Sequence, residues 1–202
     1  MRSPAHRAGG STRYPLLTAR LASQMLQSPA TNSALTVLQQ WNGLDAETAA
    51  AAILPCNGSQ AWAEKLAALR PFDTAFDLTC TADIVWRSLP EADWQQAFDS
   101  HPRIGEHKAK TATAQSLTWS ASEQSAAQLT ADTEAELTAA NREYEARFGR
   151  IFIVCASGKT AAEMLAILRA RLANDAKTEL REAAEQQRQI TQLRLRKWLS
   201  HS

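Results

Sequence analysis

Apolar residues recur at intervals of three and four positions along most of the chain, a pattern that predicts amphipathic helices. Asp45 and Ser59 are typical N-cap residues and predict two helices. The first runs to Leu54 and is closed by Pro55 and Asn57-Gly58, and the second ends before Pro71. The second of these helices carries three apolar side chains on one face: Trp62, Leu66 and Leu69.

Two more helices are predicted before residue 102. The pattern over 74–89 indicates a helix with four largely buried side chains: Phe76, Cys80, Ile84 and Trp86. Pro90 then suits the first turn of a helix, where its missing N–H costs nothing. Trp94, Phe98 and His101 follow at i, i+4 and i+7, so they share one face of that helix, which Pro102 ends.

The second half of the chain is also helical in pattern, after one long polar loop predicted over 106–118. The sequence Ser120-Ala121-Ser122-Glu123 matches a capping box and predicts the start of a helix, as does Thr160 with Glu163. Helical spacing then continues to Gly149 and resumes in a last helix over 176–199. The predicted inward side chains are Leu129, Leu137, Tyr144, Phe148, Met164, Leu165, Leu168, Leu172, Leu180, Ala183, Ile190 and Leu193.

The stretch Ile151–Cys155 is apolar and could form a strand, but no other stretch of the sequence is typical of a partner strand. We therefore expect a buried extended segment, whose peptide N–H and C=O groups need partners from elsewhere. The predicted fold is all-α: a single compact multi-helix domain over 34–202, with one long polar loop and this short extended apolar segment.

Composition excludes several classes of function. The net charge of the 202 residues is +1 with interspersed signs, so no electrostatic surface for nucleic acid is predicted. No apolar run is long enough to span a membrane. The three cysteines are far apart and predict no disulfide framework, which favours a cytoplasmic location. Residues 1–33 are rich in Arg, Pro, Gly and Ser and predict a disordered or mobile leader.

The most distinctive candidate for chemistry is His101, an imidazole placed at the end of an apolar helix and held by Pro102. Such a group could exchange protons near neutral pH. It could equally be a cationic cap that interacts with the last carbonyls of its helix. Spacing alone leaves both interpretations open.

Two other chemistries receive little support. A metal site would combine His101 and His107 with Glu106 and Glu123, but the spacing of the histidines matches no helical ligand pair, so no metal is expected. A nucleophilic Cys155 near His101 has no supporting motif. Glu123 could be the capping-box acid, or a carboxylate paired with His101.

A series of motifs resembles the OHCU decarboxylase family. OHCU is 2-oxo-4-hydroxy-4-carboxy-5-ureidoimidazoline, an intermediate of urate degradation. The motifs occur in order from about Leu35 to the C-terminus: Arg70-Pro71-Phe72, Trp86-x-x-Leu89, His101-Pro102-Arg103-Ile104-Gly105, Ser120-x-x-Glu123-Gln124, Asn141-x-x-Tyr144-x-x-Arg147-Phe148-Gly149, Phe152-Ile153-Val154-Cys155-Ala156 and Arg171-Leu172-x-Asn174.

The resemblance implies an all-helical decarboxylase that needs no cofactor, forms S-allantoin and is usually a homodimer. It implies that His101 is the catalytic acid/base and that Glu123 is its acidic partner. It further implies contacts of the substrate, a ureidoimidazoline carboxylate, with Pro102, Ser120, Gln124 and the backbone of Phe152, Ile153, Val154, Cys155 and Ala156, and an anion contact with Arg171. The competing hypothesis is a non-catalytic helical interaction module, in which His101 is only a cap.

Overall fold

The computed structural model describes residues 29–104, 109–124 and 131–200, and within these ranges the fold is all-α with no strand. The helices are α1 (Pro29–Asn42), α2 (Ala46–Asn57), α3 (Gln60–Ala68), α4 (Ala75–Ser88), α5 (Glu91–Asp99), α6 (Ala114–Gln124), α7 (Ala131–Phe148), α8 (Ala161–Arg171) and α9 (Ala176–Ser200). The predicted fold class is confirmed. Helix α1 begins before residue 34, where the sequence predicts the start of the domain, and Leu129 lies outside the described residues.

Most of the predicted helix starts are correct. Asp45, Ser59 and Thr74 each accept a backbone N–H at the start of their helix, and Thr160 forms a complete capping box with Glu163. Pro55, in contrast, does not end α2. The helix continues to Asn57 and ends at Gly58, whose left-handed backbone (φ 95°) lets its N–H bond to the carbonyl of Leu54 at 2.8 Å.

The capping box predicted at Ser120 is wrong, because Ser120 and Glu123 lie in the last turns of α6. The helix begins earlier because Thr113 provides its start signal. The Thr113 side chain accepts the N–H of Ser116 at 3.1 Å, and its carbonyl accepts the N–H of Leu117 at 3.1 Å. The predicted loop therefore ends at Thr113, and Glu123 is available for a contact other than a cap.

The predicted burial on α4 is wrong for three of its four side chains. Phe76 is 73% exposed, Ile84 is 66% exposed and Cys80 is exposed. Trp86 is buried as predicted, together with Leu78, Ala82 and Val85 on the opposite face. Both faces of α4 are apolar, so periodicity could not determine which one packs inward. Two residues predicted to face inward, Leu69 and Leu193, are likewise exposed.

The extended segment Ile151–Ala156 joins two hydrophobic clusters. Its alternate side chains point to opposite sides, as extended backbone requires. Ile151, Ile153 and Cys155 belong to the larger cluster, formed largely by α1–α5 and α9. Phe152, Val154 and Ala156 belong to the smaller cluster, formed with α7 and α8. Helix α9 packs against α1, α2, α4 and α5, so the segment lies beside the longest described helix.

Candidate active site

A small cavity lies where the end of α5, helix α6, helix α9 and the extended segment meet. Its volume is about 20 Å³, room for roughly one water molecule. The lining residues are His101, Pro102, Ile104, Ser120, Glu123, Phe152, Ile153, Val154, Ala156 and Ile190. The fold thus brings His101 and Glu123, which are 22 positions apart in the sequence, to one concave surface together with most of the predicted substrate contacts.

His101 follows α5 directly, and its backbone N–H bonds to the carbonyl of Phe98 at 3.0 Å. The residue is 8% exposed, and burial together with the nearby Arg194 cation lowers the pKa of the imidazole to about 3. The ring is therefore neutral at pH 7, and its exchange of protons during a reaction stays a prediction. A neutral ring also provides no charge to a helix end, which argues against the cationic cap.

Glu123 is paired with an arginine that the sequence analysis missed. Arg194 Nε and Nη2 donate to the two carboxylate oxygens of Glu123, each at 2.9 Å, and Nη2 also donates to Ser120 Oγ at 2.9 Å. A further contact joins Nη1 to the carbonyl of Pro55 at 3.4 Å. The Arg194 side chain is only 1% exposed. This cation holds Glu123 and Ser120 in place at the cavity wall.

Gln187 is the second residue that was missed. It is fully buried on α9, one helical turn from Thr191, and the two side chains contact each other and Asn57. The signal was present in the sequence, because Gln187, Thr191 and Arg194 fall at i, i+4 and i+7 on the face that also buries apolar residues. Polar residues at core positions of a helix indicate a buried network.

The backbone of the extended segment is only partly hydrogen-bonded. The carbonyl of Ile153 accepts Arg171 Nη1 at 2.7 Å, the N–H of Cys155 donates to Gln186 Oε1 at 2.9 Å, and the carbonyl of Cys155 accepts Lys159 Nζ at 2.7 Å. Neither peptide group of Val154 bonds to any residue within the described ranges, although Val154 lines the cavity. These groups are available to a ligand with amide-like donors and acceptors.

Two predicted contact residues lie away from the cavity. The guanidinium of Arg171 is buried against Glu179, which also accepts from Tyr144 and Asn174, so Arg171 anchors the segment through Ile153. The Cys155 side chain lines a separate, open cavity of about 520 Å³ between α4 and α9. Burial raises the pKa of the Cys155 thiol, which does not favour a nucleophile. The side chain of Gln124 lies outside the described residues.

Within the described ranges, no three His, Cys, Asp or Glu side chains come close enough together to hold a metal ion. In the same part of the chain, no helix has the length and hydropathy needed to cross a membrane. His107 and Glu106 lie outside the described residues.

Comparison with known proteins identifies the family of this chain. The sequence model of OHCU decarboxylase matches residues 42–196. The chain belongs to the OHCU decarboxylase family. The resemblance seen in the motifs is therefore confirmed, and the matched residues include every element that lines the cavity.

Two curated relatives agree with this assignment. The chain is 37% identical over 147 residues to "Uric acid degradation bifunctional protein TTL" of Arabidopsis thaliana, covering 72% of this chain and 45% of that protein. It is 34% identical over 131 residues to "2-oxo-4-hydroxy-4-carboxy-5-ureidoimidazoline decarboxylase" of Amia calva, covering 62% of this chain and 73% of that protein. The chain thus spans somewhat less than half the length of the bifunctional plant protein.

Solved structures show the same fold. An OHCU decarboxylase crystallised in the presence of (S)-allantoin superposes with a TM-score of 0.65 at 36% identity, covering 73% of this chain and 96% of that chain. An (S)-allantoin synthase superposes with a TM-score of 0.59, covering 80% of this chain and 53% of that chain. The second match is 17% identical and supports the fold alone.

Proposed function

We propose that the chain is a carboxy-lyase that decarboxylates OHCU to S-allantoin, without a cofactor, in urate degradation. The observation that carries the proposal is the convergence of His101 and Glu123 on one cavity bordered by unpaired peptide groups of Val154. Family membership supports the substrate class. A ureidoimidazoline has amide-like donors and acceptors that suit such peptide groups.

The chemistry needs binding and proton transfer. The bond between the ring carbon and the carboxylate breaks and CO₂ leaves. The released electron pair forms a C=C bond with the neighbouring carbon, the pair of the C=N bond moves onto nitrogen, and that nitrogen takes a proton from solvent. The resulting enol loses its hydroxyl proton and gains one at the neighbouring carbon. In this proposal His101, which is neutral, accepts the hydroxyl proton and returns it to one face of that carbon. Glu123, held by Arg194, orients the hydroxyl.

The remaining predicted contacts have supporting roles. Pro102 and Ser120 shape the cavity beside the two catalytic residues, and Gln124 follows Glu123 directly on α6. Phe152, Ile153 and Ala156 form the wall along the extended segment. Arg171 acts on the substrate indirectly, by fixing the carbonyl of Ile153.

The test is a chiral assay with freshly generated OHCU, which decays unaided to racemic allantoin. The wild-type protein should speed the loss of OHCU and yield one enantiomer. His101→Asn should remove both effects. Asp99→Asn is the matched change, two residues away at the end of α5 where the partly exposed Asp99 pairs with Lys110, and it should keep them. A helical interaction module would change neither rate nor handedness, and that result for wild-type protein would refute the proposal.

We further propose that the enzyme is a homodimer formed through the exposed face of α4. Phe76, Cys80 and Ile84 are spaced by four residues and form an apolar stripe. A two-fold axis through Cys80 places Phe76 of one protomer opposite Ile84 of its partner. The apolar pattern is therefore self-complementary in the antiparallel arrangement.

Light scattering should show a dimer for wild-type protein and a monomer for the double variant Phe76→Ser, Ile84→Ser. Mild oxidation should cross-link the wild-type dimer through Cys80, and Cys80→Ser should prevent this. A wild-type monomer, or a dimer that survives the double variant, would contradict the assignment of this face. We infer a cytoplasmic location because the three cysteines are unpaired thiols, which suits a reducing compartment.

A further inference from the structure

Two complementary polar atoms lie unpaired beside the cavity. Within the described ranges, three buried side-chain polar atoms have no hydrogen-bond partner: His101 Nε2, Arg150 Nη1 and Gln187 Oε1. The first and the last lie in the same part of the fold, because Ile190, one turn after Gln187 on α9, lines the cavity together with His101. Gln187 also bonds to Asn57, whose neighbour Gly58 packs against Ser100. The effect of the Gln187 side chain on the pKa of His101 agrees with this proximity. Buried polar groups are almost always paired, so an unpaired ring nitrogen beside an unpaired amide oxygen indicates a functional arrangement.

The orientation of the Gln187 amide is set by contacts on its other side. Its Nε2 donates to the carbonyl of Asn57 at 3.1 Å and to Thr191 Oγ1 at 3.4 Å. The Thr191 hydroxyl donates to the backbone carbonyl of Gln187 at 2.9 Å and accepts Asn57 Nδ2 at 3.0 Å. A reversed amide would place Oε1 against the carbonyl oxygen of Asn57. The network therefore leaves Oε1 as the atom available to the imidazole.

We infer that Gln187 is a positioning residue that selects the tautomer of His101: its Oε1 accepts the proton on Nε2, and Nδ1 presents a lone pair to the cavity. An amide oxygen can only accept a hydrogen bond, so a neutral ring that faces it carries its proton on Nε2. Pairing the two atoms also satisfies both buried groups at once. The charged groups around the ring are consistent with a single ring proton. The Arg194 cation disfavours a second one, and the negative charge of Glu123 is balanced by its pairing with Arg194.

This inference rests on the proposed function and assigns an order to its proton transfers. With the proton fixed on Nε2, resting His101 can accept the substrate hydroxyl proton at Nδ1 but cannot donate one first. Gln187 thus acts through His101 without touching the reacting atoms. Loss of Gln187 should lower kcat more than it changes KM, because substrate contacts remain.

The tautomer can be read directly from the ring ¹⁵N chemical shifts of labelled protein at pH 7, with the His101 signals assigned by their loss in His101→Asn. We expect the Nε2–H form in wild-type protein. Gln187→Leu should give a mixture of tautomers and lower kcat about tenfold, with KM within about twofold. Gln189→Leu, on the same helix and bonded to Glu185, is the matched control and should resemble wild type.

A proton on Nδ1 in wild-type protein would overturn the inference, and so would a Gln187→Leu variant with unchanged tautomer and kcat. If Gln187→Leu does not fold, the tautomer of the wild-type protein decides the question: the Nε2–H form supports the inference and the Nδ1–H form overturns it. If wild-type protein does not turn over OHCU, the proposed function fails, while the tautomer measured on the same sample still tests the role of Gln187.

Discussion

Replacing Arg194 with Met should destabilise the protein strongly, although the new side chain fills similar space. The change leaves the carboxylate of Glu123 and the hydroxyl of Ser120 without their donor. Removing one partner of a buried ion pair costs about 3–5 kcal/mol. Because the Glu123 side chain keeps 19% exposure, we expect the lower end of this range, about 3 kcal/mol. That is a large share of the roughly 5–15 kcal/mol that stabilises a typical domain.

Urea unfolding at pH 7 measures this loss for Arg194→Met, Glu123→Gln and the double variant. The double-mutant cycle should give a coupling energy of roughly 2 kcal/mol. Arg188→Met is the control, because Arg188 lies on the same helix and also pairs with two carboxylates, Asp83 and Glu185, but is 22% exposed. Its loss should cost no more than about 1 kcal/mol.

Equal losses for Arg194→Met and Arg188→Met would refute the reasoning, since burial is what distinguishes the two pairs. A coupling energy near zero would show that Arg194 contributes through its apolar stem rather than through its charge.

Three further predictions concern other parts of the fold. Burial lowers the pKa of His101 to about 3, so below pH 6.5 the unfolded chain takes up a proton that the folded chain does not. The free energy of unfolding of wild-type protein should therefore fall by about 2 kcal/mol between pH 7 and pH 5, and that of His101→Asn should not show this loss. Glu179→Gln should cost about 3 kcal/mol in urea unfolding, because it leaves the buried guanidinium of Arg171 unpaired. Gly58→Ala should lower the melting temperature sharply, since φ is +95° and the new Cβ would lie 2.1 Å from Ser100 Oγ. Adding Ser100→Gly should remove the clash but not the backbone strain.

The sequence predicts helix starts well where one side chain caps the backbone, as Asp45, Ser59 and Thr160 do. It predicts burial poorly on α4, because Phe76 and Ile84 compete with an equally apolar opposite face. The choice between two such faces depends on neighbouring helices, which local periodicity does not contain.

The candidate site was predictable through the motifs that carry the family resemblance, since they contain His101, Glu123 and the segment after Ile151. No spacing rule relates two residues from different helices. Arg194 and Gln187 were missed because α9 carries many charged and amide residues on its exposed side. In the sequence, two further polar residues on the inward side are hard to distinguish from these exposed ones. The i, i+4, i+7 spacing of Gln187, Thr191 and Arg194 places them on one face, and the packing of α9 across the earlier helices shows that this face is buried.

The position of the cavity between the two hydrophobic clusters determines how a substrate can enter. A space of about 20 Å³ admits one water molecule, whereas small-molecule sites commonly measure roughly 300 Å³ or more. A ligand larger than a water molecule can therefore bind only if the elements around the cavity move apart, and Ile151–Ala156 lies there between the two hydrophobic clusters. Such a movement would consume part of the binding energy and slow association below the diffusion limit.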